Sequence, residues 1–279
     1  MKLKILTIPL LIAVFNAQLV FSQDVNMFSA DENKFSAAFQ LGGAFPVGSF
    51  TNADISFPCN SLVSAGSAFE LSLGYKITSH WGGTLLLSEA LYELDPTSLG
   101  VAQLINNHPG LYQNAAVFKS GQLSAQSAMV GAFYDLPLNK SGKMFLKSHL
   151  YVGMMGCTIP EIIVNGQHVP GAADKNNNSI DTIETWDAPK IYAYFITFRL
   201  GTGIYYSLNK RFSVFVNMDY QGSNFSFTNI PINYNIAVYS NNSSTATSTP
   251  ISNSLYTKEA NPTIFYQSII VGLGCEVRF

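Results

Sequence analysis

Apolar and polar residues alternate with a period of two along most of this chain, the signature of strands with one apolar face. Eight such segments can be read, at about 34–45, 62–77, 80–92, 122–137, 143–156, 190–206, 211–222 and 263–279. In 190–206 one face carries Tyr192, Tyr194, Ile196, Phe198, Leu200, Ile204 and Tyr206. The other carries Ala193, Phe195, Thr197, Arg199, Gly201 and Gly203. In 62–77 Phe69, Leu71, Leu73 and Tyr75 oppose Glu70, Ser72, Gly74 and Lys76. Three connections are short (78–80, 139–142 and 208–210) and four are long (about 46–61, 93–121, 157–189 and 223–262). Short and long alternate along the chain. That order predicts an all-β, eight-stranded antiparallel up-and-down barrel, with tight turns at one rim and loops at the other.

Alternation alone does not say which face points inward. Composition does: charged residues make up 11 % of the chain, against roughly 25 % in an ordinary soluble domain. A water-facing outer wall would need far more Lys and Glu. The apolar faces are therefore expected to face lipid. The Gly, Ser and Ala of the opposite faces, with a few charges, suit an eight-stranded interior just wide enough for side chains. The segments are long enough to cross a membrane, which takes about 9–11 residues per strand. Tyr75, Tyr134 and Tyr206 stand just before the short turns, and Trp81 and Phe212 just after two of them, which predicts an interfacial aromatic belt. A net charge of −2 and a pI near 6.1 offer no basic surface for nucleic acid.

The two ends carry addresses. Lys2 and Lys4 precede an apolar run from Ile5 to Phe15 and a cleavable-looking "FSQ", so residues 1–23 read as a secretory signal peptide. The last segment, "IIVGLGCEVRF", places Val271, Leu273, Cys275, Val277 and Phe279 on one face. This closing strand resembles that of bacterial outer-membrane β-barrels, which ends on an aromatic residue and is read by the barrel-assembly machinery. Size and hairpin pattern resemble the small OmpA- and OmpX-type barrels, and the style of the chain resembles barrel-domain proteins of Bacteroidetes-type bacteria. The resemblance implies an outer-membrane protein surrounded by lipid, with residues 24–33 as a short periplasmic segment and 34–279 as the barrel. It further implies short periplasmic turns and long extracellular loops that meet an unidentified ligand or partner. No cofactor is implied.

Candidate chemistry lies on the inward faces. Counted from the turn rim, Glu70, His149, Arg199 and Asp219 share one depth, with Lys147 one inward step below His149. Arg199 and Asp219 belong to neighbouring strands and should lie opposite each other or one step apart. Buried charges must be paired, so these residues are expected to form a polar network in the lumen. Barrel enzymes of the resembled class use His with Ser, Asp or Glu. Here His108 and His168 fall in long connections and His80 at the turn rim, while Ser148 and His149, being adjacent in a strand, face opposite sides. No catalytic constellation emerges, and a non-enzymatic barrel is expected. A lipid-modifying or proteolytic barrel enzyme and a secreted lipocalin-like carrier stand as alternatives.

The long connections carry weaker signals. Asn165-Gly166 reads as a hairpin turn extending the adjacent strands. Asp174, Asn176 and Asn178 resemble the start of a calcium loop, without its Gly and terminal Glu. Asp181 to Ile183 resembles a short O-glycosylation acceptor, Ser98–Asn106 reads as a short helix, and Ser240–Ser254 is low in complexity. If a disulfide forms, Cys59 and Cys157 are the expected pair, since both belong to the loop side while Cys275 should face lipid.

Overall fold

The structure, a computed structural model, describes residues 34–48, 63–94, 112–119, 121–168, 179–226, 230–241, 252–260 and 263–279. The described residues form β1 (Phe35–Pro46), β2 (Val63–Lys76), β3 (Trp81–Leu94), β4 (Tyr112–Lys119), β5 (Gln122–Pro137), β6 (Met144–Ile159) and β7 (Ile162–His168). They continue with β8 (Ser179–Ala188), β9 (Ile191–Ser207), β10 (Phe212–Ser226), β11 (Ile230–Asn241), β12 (Ser252–Ala260) and β13 (Thr263–Arg278). Eight strands close into one antiparallel barrel in the order β1-β13-β10-β9-β6-β5-β3-β2. This is the expected up-and-down barrel, and its eight strands are the eight alternating segments. The expected signal peptide and the segment 24–33 lie outside the described residues, as do Cys59, Ser98–Asn106 and Asp174–Asn178.

The barrel is sheared. Paired residues lead from Glu89 through Phe69, Leu41, Leu273, Val216, Ile204 and Leu146 to Leu136. Trp81 pairs with Tyr134, so one circuit arrives level with position 79 on the strand that it left at 89. Such a stagger tilts the strands by roughly 35–45°.

The apolar faces point outward. Phe39, Leu41, Phe69, Leu71, Leu87, Val152, Ile196 and Leu273 are 42 % to 76 % exposed. Arg199, Asp219, Gln221, Ser268 and Glu276, one face over, are at most 2 % exposed. A lipocalin-like carrier would have the reverse arrangement.

Side chains shape the short turns. Thr78 Oγ1 accepts from the backbone N–H groups of His80 (3.3 Å) and Trp81 (2.9 Å). Asn209 Oδ1 accepts from those of Arg211 (2.8 Å) and Phe212 (2.9 Å). The third turn places Gly142 at φ 65°, a left-handed conformation that glycine adopts at no steric cost. These are the side-chain and glycine devices that make tight turns cheap.

Three of the long connections are more than loops. They supply β4, β7, β8, β11 and β12, a separate five-stranded sheet in the order β12-β11-β8-β7-β4. One sequence expectation gives way here, and one weak likeness loses its ground. Asn165-Gly166 is no turn: β7 runs through it, pairing Asn165 with Thr185 and Ala116, and Gly166 with Glu184 and Ala115. Ladders on both sides hold the dipeptide extended and override its local preference. The calcium-loop reading also fails over its second half, because Ser179–Thr185 is extended in β8 and paired with β11, leaving no curled loop to wrap an ion. Asp181–Ile183 lies within the same strand.

Candidate functional site

The barrel lumen is filled in three tiers. Nearest the turn rim, Ala38, Phe145, Tyr205 and Phe215 form a buried aromatic cluster. Tyr205 stacks on Phe215 at 4.4 Å and on Phe145 at 5.1 Å between ring centroids. Lys147 crosses this tier to pair with Glu276. Its ammonium lies 4.5 Å from the Tyr205 ring centroid and 4.8 Å from that of Phe133, a favourable cation–π geometry. Glu276 Oε1 also accepts from Arg278 Nε at 2.8 Å.

The middle tier is ionic. Arg199, on β9, spans the lumen to β2 on the opposite wall, where Nη1 donates to Glu70 Oε1 at 2.5 Å. Nη2 donates to Ser88 Oγ (3.1 Å) and Gln221 Oε1 (2.7 Å), and Nε donates to Gln221 Oε1 (3.2 Å). Asp219 Oδ2 is 3.8 Å from Arg199 Nη1, and its Oδ1 is 2.6 Å from His149 Nε2. The planar guanidinium suits this task because its fixed fork of donors serves several acceptors at once. Higher still, Tyr92 and Tyr266 meet hydroxyl to hydroxyl at 2.5 Å across the lumen. Met155, Cys157 and Ile159 are fully buried beside them on the inward face of β6.

Little free space remains in the middle. A void of about 20 Å³ lies among Gln40, Glu70, His149, Tyr205, Asn217 and Asp219, room for about one water molecule. The lumen is a packed, charge-compensated plug. His149 and Asp219 are engaged within it, and Ser148 lies on the outer face against Thr202 Oγ1 at 3.4 Å.

The structure thus brings Glu70, His149, Arg199 and Asp219 together and places Lys147 one inward step below. Arg199 and Asp219 lie one step apart, since Arg199 pairs with Gln221 and Gly201 with Asp219. Sequence reasoning missed the cross-lumen partners Ser88 and Glu276, the adjacent-strand partner Gln221, and the Gln40–Asn217 bond of 3.0 Å. Alternation had set these residues on inward faces. It could not say which strands face each other across the lumen, because that depends on closure and shear.

Four of the five expected belt residues are outward and about half exposed: Tyr75, Trp81, Tyr206 and Phe212. Tyr134 departs from this. It has the outward register, but at 6 % exposed it is covered by Trp81 (4.8 Å between centroids) and His80 (5.9 Å). Val271, Leu273 and Phe279 are exposed on the outer face of the last strand, and Val277 is half-buried there. Phe279 N–H donates to Phe35 O at 2.8 Å, joining the last strand to the first at the turn rim. Cys157 carries a free thiol that points into the lumen, and Cys275 a free thiol that points outward.

Gly201 shows how tightly the middle tier is fitted. A Cβ there would lie 1.6 Å from Asp219 Oδ1 and 2.7 Å from His149 Nε2. Gly201→Ala should therefore displace Asp219 from His149. Its expected cost is about 1–3 kcal/mol, that of a buried polar group left unpaired. A urea titration of the refolded barrel reads this directly, and an unchanged midpoint would show that the network tolerates a shifted Asp219.

No family model matches the chain, and no curated protein matches it. Solved structures that it resembles are bacterial outer-membrane proteins. Ail, the attachment invasion locus protein of Yersinia pestis, shares 9 % identity at a TM-score of 0.38, covering 89 % of this chain and 99 % of that one. OprG of Pseudomonas aeruginosa shares 12 % at 0.34, over 89 % and 98 %. The outer-membrane protease OmpT of Escherichia coli shares 7 % at 0.29, over 91 % and 99 %. Likeness at this level is faint. The class, a closed eight-stranded barrel with an apolar outer wall and a polar core, rests on the strand pairing and exposures described above.

Proposed function

We propose that this protein is a non-enzymatic outer-membrane barrel whose eight strands serve as an anchor and whose five-stranded sheet presents a surface to an extracellular partner. One observation carries the reading: a broad apolar belt faces outward around a lumen closed by its own ionic network. Water disfavours such a belt, and lipid favours it. A plugged lumen leaves the loop-borne sheet as the part free to meet other molecules. The sequence features of export and barrel assembly, the apparent signal peptide and the aromatic-ended last strand, point to the same address.

The expected result is extraction from membranes by detergent alone, with migration on gels that shifts on heating as the closed barrel opens. Recovery as a soluble periplasmic protein would sink the reading. Sheet and barrel can be separated by replacing residues 161–189 with a short turn. The heat-dependent shift should survive, while adhesion of whole cells displaying the protein should fall. Hydrolysis of lipid or peptide substrates by the refolded protein would favour the enzymatic alternative.

A further inference from the structure

Glu89 stands apart from the other mid-barrel carboxylates because it points outward. It lies on β3 between Leu87 and Leu91, eight residues above Trp81. At about 3.3 Å per residue and the tilt of such barrels, that is about 20 Å above the turn-side aromatics. An apolar band is roughly 25 Å tall, so Glu89 lies just below its loop-side edge.

The carboxylate is fixed in place. Gln126 Nε2 donates to Oε1 at 2.9 Å and Ser124 Oγ donates to the same oxygen at 3.2 Å. Both donors are neutral side chains and both meet one oxygen, so they orient the carboxyl without supplying a counter-charge. No Lys or Arg lies on the outward faces of the eight barrel strands among the described residues; Glu89 and Glu93 are the charges there. An unpaired charge on a lipid-facing wall is costly, and this one is set in a groove. The groove has a volume of about 680 Å³, with the small outward residue Ala128 between its walls and the Tyr194 ring lying over Gly156. Leu71 and Leu87 flank it on one side, and Met154 and Tyr194 on the other.

An apolar trough that ends at an oriented anion is complementary to an amphiphile with an apolar chain and a hydrogen-bonding cation. We infer that this outer-wall groove holds a membrane lipid with a primary ammonium headgroup, which donates to Glu89 while its acyl chain lies along Leu71, Leu87 and Met154. This rests on the membrane-embedded reading given above.

The test uses wild type, Glu89→Gln and Glu89→Lys refolded into phosphatidylcholine vesicles. Each carries trace chain-nitroxide probes of phosphatidylethanolamine, phosphatidylcholine or phosphatidylglycerol, and spin resonance reads the motionally restricted fraction. Wild type should restrain the phosphatidylethanolamine probe over the phosphatidylcholine probe by up to roughly fivefold, the worth of one partly exposed ion pair. Glu89→Gln should abolish the preference, and Glu89→Lys should transfer it to phosphatidylglycerol. Equal restraint of the probes by wild type, or an unchanged preference in either variant, overturns the inference. Heat-shifted migration of the same samples reports insertion separately. A wild type that never inserts overturns the membrane reading, and this inference falls with it.

Discussion

Arg199→Met should destabilise the barrel by about 3–5 kcal/mol, the range for breaking a buried ion pair from one side. Arg199 is 1 % exposed and donates to Glu70, Ser88 and Gln221. Methionine is also flexible and apolar and fills part of the volume, so the loss reports chiefly on stranded carboxylates. Glu70 and Asp219 would both remain buried with one cation fewer, and His149 alone would face Asp219. Urea unfolding in lipid vesicles measures the cost. A triple variant, Arg199→Met with Glu70→Gln and Asp219→Asn, removes the excess charge and should recover much of it. If Arg199→Met alone leaves the midpoint within experimental error, water reaches the lumen and the plug is not the sealed core described here.

The second large effect lies on the opposite face. Leu273 is 67 % exposed on the outer wall. It is four residues above Val277 on the last strand, about 10 Å from the turn-side rim and so near the middle of the apolar band. Leu273→Arg should cost about 2–4 kcal/mol in phospholipid vesicles, the range for a cation at mid-depth on a barrel's lipid face. The same change on a water-facing surface is worth no more than about 0.5 kcal/mol either way. Unfolding free energies of the two proteins in vesicles therefore discriminate sharply. A negligible difference would mean that the outward belt is not in lipid.

The barrel was legible in the sequence because its signals are local. Each strand declares two faces through a period of two, and the short turns fall between alternating runs. Low charge settled which face points outward. The inward placement of Arg199, Glu70 and Asp219 followed from the same count. The nearness of Arg199 to Asp219 on the neighbouring strand followed too, but the reach of Arg199 across the lumen to Glu70 depends on closure and shear, which no single strand encodes. Tyr134 shows another limit: its register was right, but Trp81 and His80 cover it. In the long connections local signals misled. Asn165-Gly166 carries a strong turn preference that two flanking ladders overcome, and the strands β4, β8 and β12 alternate too weakly to announce themselves among polar residues.

The five-stranded sheet has a consequence for recognition by antibodies. β4 belongs to one connection, β7 and β8 to the next, and β11 and β12 to the last, yet β7 pairs with β4 and β8 with β11. Neighbours on that sheet are thus far apart in sequence, and any footprint wider than one hairpin is discontinuous. Sera raised against synthetic peptides of single connections would meet segments without their lateral neighbours. Sera raised against the folded protein would contain specificities that no linear peptide absorbs, and these should vanish on boiling. Variation confined to one connection would likewise alter a footprint shared by two.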